Sequence, residues 1–270
     1  MPDTSRRRTV LAATEPVRAM ASAGALAASL PLLAAAPRGE RHPVLVLPGL
    51  MASDVSTGAL RRWVRTLGYP VVGWALGRNR GPTQEVVEEL PRLLRRLRDE
   101  HGTPVTIIGQ SLGGIFARRL AQRSPAEVRQ VVTLGSPFGM AGRGPDGSPA
   151  AQVYRRFQPL HSVHRLSDSP RDSLARPLSV PSTSVYSRWD GVVDWRACLQ
   201  QPGPRSENVA VRASHLGMGV DPAVLWVVAD RLAQTRDGWE PFRRPTRAGL
   251  ATLFPDAAED EREVRSPRAR

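Results

Sequence analysis

The most constraining feature of the sequence is a regular alternation, from residue 43 onward, of short apolar runs and segments with helical spacing. The first run, Val44–Leu47, is entirely apolar and ends at Pro48 and Gly49, which is typical of a strand buried on both faces. Similar runs recur at 69–75, 105–108, 128–134, 182–187 and 209–212. This alternation predicts the α/β fold class, with a doubly wound, mostly parallel sheet and crossover helices.

The predicted strands and helices span residues 41–237, which we interpret as one domain with an insertion. Between about residues 138 and 180 the chain is rich in Gly and Pro and has no clean strand, which favours an inserted cap. Residues 238–270 are rich in Arg, Pro, Asp and Glu, and this composition predicts a mobile charged tail.

Composition narrows the class of protein. The formal net charge is +13, but all 38 basic residues are arginine and aromatic residues make up only 5% of the chain. Without aromatic rings to stack on bases, we interpret the charge as a compositional bias and expect no nucleic-acid partner. The single cysteine, Cys198, excludes an intramolecular disulfide and a cysteine-based metal site.

Residues 1–40 form a basic and apolar segment that we predict to be helical. The run Ser5 to Leu11 resembles the start of a twin-arginine export signal, and Ala34 to Ala36 could serve as a cleavage site. Glu15 and Arg18, however, interrupt the apolar stretch that such a signal needs. We therefore expect a helix that packs on the domain or lies at a membrane surface in a cytoplasmic protein, with export as the alternative.

A candidate nucleophile lies between a predicted strand and a predicted helix. The run Gly109 to Gly113 reads Gly-Gln-Ser-Leu-Gly, a G-x-S-x-G pattern in the strand–turn–helix setting of a nucleophile elbow. Its glycines remove the Cβ atoms that would clash in so sharp a turn. Ser111 is therefore the predicted nucleophile.

A serine hydroxyl needs a general base, and we expect a histidine at the same edge of the sheet. His42 and His101 precede strands and belong to the opposite edge, whereas His161 and His164 fall in the predicted cap. Only His215 follows a strand and precedes a helix at the edge expected for Ser111, so we predict that His215 is the base.

The base needs a carboxylate behind it, and the strand at 182–187 is followed by two candidates. Asp190 is closer to the strand end and is followed by Gly191, which permits the turn that would aim its side chain back. We therefore favour Asp190 over Asp194, which would then be a solvated or turn-stabilising residue.

Acyl transfer also needs N–H donors for the oxyanion that forms on the substrate. The backbone amide of Leu112, directly after the serine, is one candidate. The second is expected from the loop after the first strand, where Gly49 allows the Leu50 amide to face the site, with Met51 as the alternative donor.

Taken together, these motifs resemble the lipase- and esterase-like branch of the α/β-hydrolase family. The matching pieces are Leu47-Pro48-Gly49-Leu50, Gly109 to Gly114, Leu134-Gly135-Ser136-Pro137, Trp189 to Val193 and Ser214-His215-Leu216-Gly217. The resemblance implies an inserted lid and hydrolysis of small-molecule esters with an apolar acyl group through an acyl-enzyme, without metal or organic cofactor. The chain departs from lipases at Pro48, which stands where they usually carry histidine before the oxyanion-loop glycine.

Two other functions fit the same residues. The same triad could transfer the acyl group to an acceptor other than water, or the fold could serve as a non-catalytic scaffold whose basic N-terminus contacts acidic lipid headgroups.

Overall fold

Two helices precede the sheet in the computed structural model, which describes residues 4–139, 174–245 and 253–265. Helix α1 spans Thr4–Ala13 and helix α2 spans Glu15–Leu33. Helix α2 can begin at Glu15 because a proline follows, and the missing N–H of proline is not needed in the first turn. Its last residue, Leu33, is fully buried in the core of the domain.

The sheet of the described residues contains six parallel strands in the order β2-β1-β3-β4-β5-β6. They are β1 (Val44–Leu47), β2 (Val71–Gly73), β3 (Val105–Gln110), β4 (Val128–Leu134), β5 (Ser182–Tyr186) and β6 (Ser206–Ala210). From β1 the chain moves to one edge and then returns to add β3 to β6 on the other side. The predicted doubly wound α/β fold is confirmed.

Four helices connect and cover the strands: α3 (Gly58–Thr66), α4 (Gln84–His101), α5 (Leu112–Arg123) and α6 (Pro222–Ala233). Thr83 caps the start of helix α4, because its hydroxyl oxygen accepts a hydrogen bond from the Val86 amide at 3.4 Å. It ends at Gly102, whose φ of 64° suits glycine in the left-handed region.

Each face of the sheet carries its own apolar core, and β1 contributes to both. Val44 and Val46 pack with the side chains of α3 and α6, whereas Leu45 and Leu47 pack with those of α4 and α5. Burial on both faces explains why β1 is apolar throughout. With both faces covered, the carboxyl ends of the strands are where polar side chains can gather.

Strand β6 starts earlier than its apolar pattern predicts, at Ser206 instead of Val209. It is a sheet edge, and its polar residues have side-chain partners there. The Thr183 hydroxyl donates to Glu207 at 2.7 Å, and Asn208 exchanges hydrogen bonds with the backbone of Gln200. These hydrogen bonds satisfy the polar side chains of β6. Because residues 206–208 are polar, the apolar pattern of the sequence does not reveal the start of the strand.

Part of the segment expected to be a mobile tail packs on the domain. Helix α7 spans Ala257–Arg265, and the buried Asp260 carboxylate accepts a hydrogen bond of 2.8 Å from the Tyr186 hydroxyl at the end of β5. Phe254 is also buried. Scattered single contacts of this kind have no periodic pattern, so composition alone does not predict them.

The predicted cap lies almost wholly outside the described residues, as do His161 and His164. At its two ends the described chain is packed into the domain: Phe138 and Leu174 are both buried. Cys198, which follows β5, is buried as well, and burial raises the pKa of its thiol.

Candidate active site

Ser111 occupies a sharp turn between β3 and α5. Its φ of 52° and ψ of −120° lie in a region that non-glycine residues rarely adopt. An added Cβ would lie 2.4 Å from the Leu47 oxygen at Gly113 and 2.0 Å from the Ser136 hydroxyl at Gly114. The glycines are therefore required by close packing against the neighbouring strands, which fixes the serine at the carboxyl edge of the sheet.

The loop after β1 lies directly against this serine. An added Cβ on Gly49 would lie 3.2 Å from the Ser111 Cβ. The Met51 amide is engaged, because it donates to the Asn79 backbone oxygen at 2.7 Å. The Leu50 and Leu112 amides have no hydrogen-bond partner among the described residues, so both are available to a ligand beside the Ser111 hydroxyl.

Asn79, which sequence analysis did not single out, holds this loop in place. Its side chain is fully buried, donates to the Pro48 oxygen at 2.8 Å and accepts from the Gly81 amide at 3.0 Å. Its backbone amide donates to the Ala52 oxygen at 2.8 Å. The only signal in the sequence is an asparagine within a Gly- and Arg-rich turn, which by itself indicates no more than a loop.

The structure brings Asp190 and His215 together. The Asp190 Oδ2 atom lies 2.6 Å from the His215 Nδ1 atom, while Oδ1 accepts from the Val192 and Val193 amides at 2.8 and 2.7 Å. Both side chains are buried. Burial alone would lower the pKa of His215, but the Asp190 carboxylate, by charge and hydrogen bond, and the Glu15 carboxylate together raise it. The imidazole is therefore held in one orientation and its charged form is stabilised.

Asp194 does not join this pair. Its carboxylate accepts a hydrogen bond from the Arg196 amide at 3.0 Å and caps the 3-10 helix Trp195–Cys198. This is the turn-stabilising role that the sequence suggests for the second aspartate.

Two contacts link the pair to the serine turn. Gln110, the residue before Ser111, donates from Nε2 to the His215 backbone oxygen at 3.2 Å. An added Cβ on Gly135, at the end of β4, would lie 3.1 Å from the Asp190 Oδ2. Within residues 4–139 and 174–245, no hydrogen bond joins Ser111 Oγ to the His215 ring.

The other described histidines lie elsewhere. The buried His42 ring contacts the Glu40 oxygen and the Thr106 hydroxyl, each at 2.9 Å, and burial, together with the nearby Arg129, lowers its pKa to about 4. With His101 it lines a cavity of about 420 Å³ at the amino edge of the sheet, opposite Ser111. No cluster of three or more metal-ligating side chains occurs in the described part of the chain.

Glu15 is a second residue that sequence analysis missed. The sequence marks it only as an interruption of an apolar stretch, whereas the structure buries its carboxylate against the loops that carry Asp190 and His215. A long-range contact of this kind leaves no local pattern.

The parallel sheet, the glycine-packed serine turn and the adjoining Asp–His pair define an α/β-hydrolase fold protein. The model of the α/β-hydrolase fold family matches residues 42–156 of the chain. No curated protein sequence matches the chain.

Three solved structures with this fold are lipolytic enzymes. The first is one of two metagenome-derived lipolytic enzymes, LipS and LipT, with 15% identity over 73% of this chain and 93% of that one and a TM-score of 0.50. Lipase B of Aspergillus fumigatus has 14% identity, coverage of 75% and 56%, and a TM-score of 0.53. The Bacillus licheniformis lipase BlEst2 has 15% identity, coverage of 73% and 94%, and a TM-score of 0.50.

Proposed function

We propose that this protein is a serine hydrolase that cleaves carboxylic esters through an acyl-enzyme, with Ser111 as nucleophile, His215 as base and Asp190 as the orienting acid. The observation that carries the proposal is the 2.6 Å contact between Asp190 and His215, beside a serine in a strained strand–turn–helix connection. The lipolytic enzymes that share the fold support the choice of esters.

In the first half of the reaction, Ser111 Oγ attacks the ester carbonyl carbon while His215 Nε2 takes the hydroxyl proton. Asp190 accepts the Nδ1 hydrogen bond, which keeps Nε2 free to act as base and stabilises the imidazolium. The hydrogen bond between Ser111 Oγ and His215 Nε2 that this step needs is expected to form when substrate binds.

The negative charge that develops on the carbonyl oxygen is stabilised by the Leu50 and Leu112 amides. When the tetrahedral intermediate collapses, the alcohol leaves with the proton held by His215, and the acyl group stays on Ser111. Water then attacks the acyl-enzyme, gives its proton to His215 and releases the carboxylic acid, and the proton returns to Ser111. No metal or organic cofactor is required.

Labelling with a fluorophosphonate tests this proposal. The full-length protein should be labelled at Ser111, and Ser111→Ala should abolish both labelling and hydrolysis of p-nitrophenyl esters. The exposed Ser179, at the opposite edge of the sheet, provides the matched control, because Ser179→Ala should keep wild-type rates. Absence of labelling would contradict the proposal and favour a non-catalytic scaffold.

Product analysis separates hydrolysis from acyl transfer. In the presence of an added alcohol, a hydrolase releases mainly the free acid. A predominance of the transferred ester at low alcohol concentration would assign the protein to acyltransferases instead. A series of p-nitrophenyl esters of increasing length measures the expected preference for an apolar acyl group.

We also propose that α2 contacts the surface of a bilayer that contains anionic lipid. It is the one helix in the described residues long and apolar enough to cross a membrane, and Val17 and Met20 are 68% and 75% exposed. Arg7 and Arg38 are exposed at the two ends of this region, and the only acidic residue between them is the buried Glu15. The exposed surface is therefore apolar and positively charged, which suits anionic headgroups.

Flotation with vesicles tests this contact. The full chain should float with vesicles of phosphatidylcholine and phosphatidylglycerol and less with phosphatidylcholine alone. The double variant Val17→Ser, Met20→Ser should lose binding and retain hydrolysis of a soluble ester. Equal flotation of both proteins, or none by the wild type, would contradict the contact.

A further inference from the structure

The carboxylate of Glu15, in the first turn of α2, is buried among backbone amides of two distant loops. Its Oε1 atom accepts from the Gly191 amide at 2.7 Å and from the His215 amide at 3.1 Å. Its Oε2 atom accepts from the Leu216 amide at 3.0 Å. The side chain is 3% exposed. A single carboxylate thus connects the residue after Asp190 with the candidate base itself.

Arg18, one turn further along α2, completes this arrangement. Its guanidinium donates to Glu15 Oε1 at 2.9 Å, and it also donates to the backbone oxygens of Trp189 and Leu11. Trp189 and Gly191 flank Asp190 in the sequence, so the two side chains of α2 bind the backbone on both sides of the candidate acid. Because Arg18 compensates the buried charge, the arrangement avoids an unpaired carboxylate.

The backbones of the helices and the loops are also in direct contact. An added Cβ on Gly191 would lie 2.4 Å from the backbone oxygen of Leu11, in α1. An added Cβ on Gly217, in the loop after His215, would lie 3.3 Å from the Cα of Ala19. The N-terminal helices are thus fitted to both loops, and Glu15 lies at the centre of the contact.

We propose that Glu15 is a positioning residue, which holds the Asp190 loop and the His215 loop in the geometry that proton transfer requires. The proposal rests on the proposed function of the site, and it assigns to residues 4–33 a role in catalysis as well as in packing. Glu15 touches no reacting atom, so it acts through the two loops. A displacement of about 1 Å in a catalytic group can reduce the rate on the order of 100-fold.

The test uses the full chain with Glu15→Gln. Glutamine keeps the shape of the side chain, but it carries no charge, and its NH2 group cannot accept the hydrogen bond that the second carboxylate oxygen accepts. We expect kcat for a soluble p-nitrophenyl ester to fall about 10- to 100-fold while KM changes little. Glu100→Gln, at an exposed position of α4, is the matched control and should leave both constants unchanged.

A pH profile distinguishes positioning from a merely structural role. The charged groups near the His215 ring are Asp190, in the loop after β5, and the Glu15–Arg18 pair of α2. Removal of the Glu15 charge should shift the acid limb of kcat/KM to lower pH, because one of the charges that favours the imidazolium is lost. The hydrogen-bonded Nδ1 proton of His215, observed by NMR, should shift or broaden in the same variant, and this readout does not depend on turnover.

Glu15→Asp provides the rescue. It restores the charge with a shorter side chain, so it should recover part of kcat and the wild-type acid limb. Wild-type kcat and pH profile in Glu15→Gln would overturn the proposal, as would failure of both variants to fold, which would assign Glu15 to stability alone. If the wild-type protein is not labelled at Ser111, the proposed function fails, and the NMR signal still reports whether Glu15 positions His215.

Discussion

Asn79, in the loop after β2, donates a hydrogen bond of 2.8 Å from its side chain to the backbone oxygen of Pro48, in the loop after β1. Its own backbone oxygen accepts from the Met51 amide. One buried residue therefore binds the chain on both sides of Leu50, and the direction of the Leu50 amide depends on it.

Asn79→Ala should lower kcat about tenfold or more while KM changes little, because loss of an oxyanion donor costs on the order of 100-fold and a misaligned donor costs less. The control is Asn208→Ala in β6, which also removes side-chain hydrogen bonds to the backbone, far from Ser111. If both variants lose similar thermal stability and only Asn79→Ala loses kcat, the result supports a role of Asn79 in positioning the Leu50 amide. Equal kcat values would contradict it.

Replacement of Asp190 and of Asp194 by asparagine, one at a time, gives a second prediction. Asp190→Asn should preserve the fold and reduce kcat by up to about 10⁴-fold, because the asparagine favours the wrong imidazole tautomer. Asp194→Asn should reduce kcat little, since that side chain caps a 3-10 helix. Rate measurements on both variants decide this, and a reversed pattern would move the acid to Asp194.

The acid limb of the pH–rate profile gives a third prediction. His215 must be neutral to act as base, and its pKa is raised above the ordinary value of about 6.5. As the pH falls, hydrolysis should therefore be lost at a higher pH than it would be with a histidine of ordinary pKa. His215→Ala should abolish turnover, whereas His42→Gln should leave the limb unchanged, because His42 lies at the opposite edge.

Gly113 and Gly24 should respond in opposite directions to substitution by alanine. A Cβ at Gly113 would lie 2.4 Å from the Leu47 oxygen, so Gly113→Ala should destabilise the fold by about 1–3 kcal/mol. At Gly24, in α2, nothing lies within 4 Å, and Gly24→Ala should stabilise the helix by about 0.5–1 kcal/mol. Denaturant unfolding measures both, and a stable Gly113→Ala protein would contradict the steric argument.

The sequence predicted the parts of the fold whose signal is local. The apolar run at β1 and the serine turn each lie within a few residues, so periodicity and turn chemistry identify them. For Asp190 and His215 the signal is topological: both follow strands, and the carboxyl ends of parallel strands share one edge of the sheet.

The parts that the sequence did not predict depend on single contacts between distant residues. Three buried polar residues have no distinctive sequence neighbours: Glu15, Asn79 and Asp260. Each is buried because its hydrogen-bond partners lie in another part of the chain. The start of strand β6 is not predicted for a related reason, since its polar residues form hydrogen bonds with neighbouring residues at the edge of the sheet.

The region around Asp190 is held by residues from both ends of the chain. Glu15 binds the Gly191 amide across 176 positions, and Asp260 binds the Tyr186 hydroxyl across 74. During synthesis the first helix therefore leaves the ribosome long before its partners exist, and the last helix arrives after the sheet is complete. Since contacts with large sequence separation form late, we expect the chain to acquire its sheet before its final loop geometry.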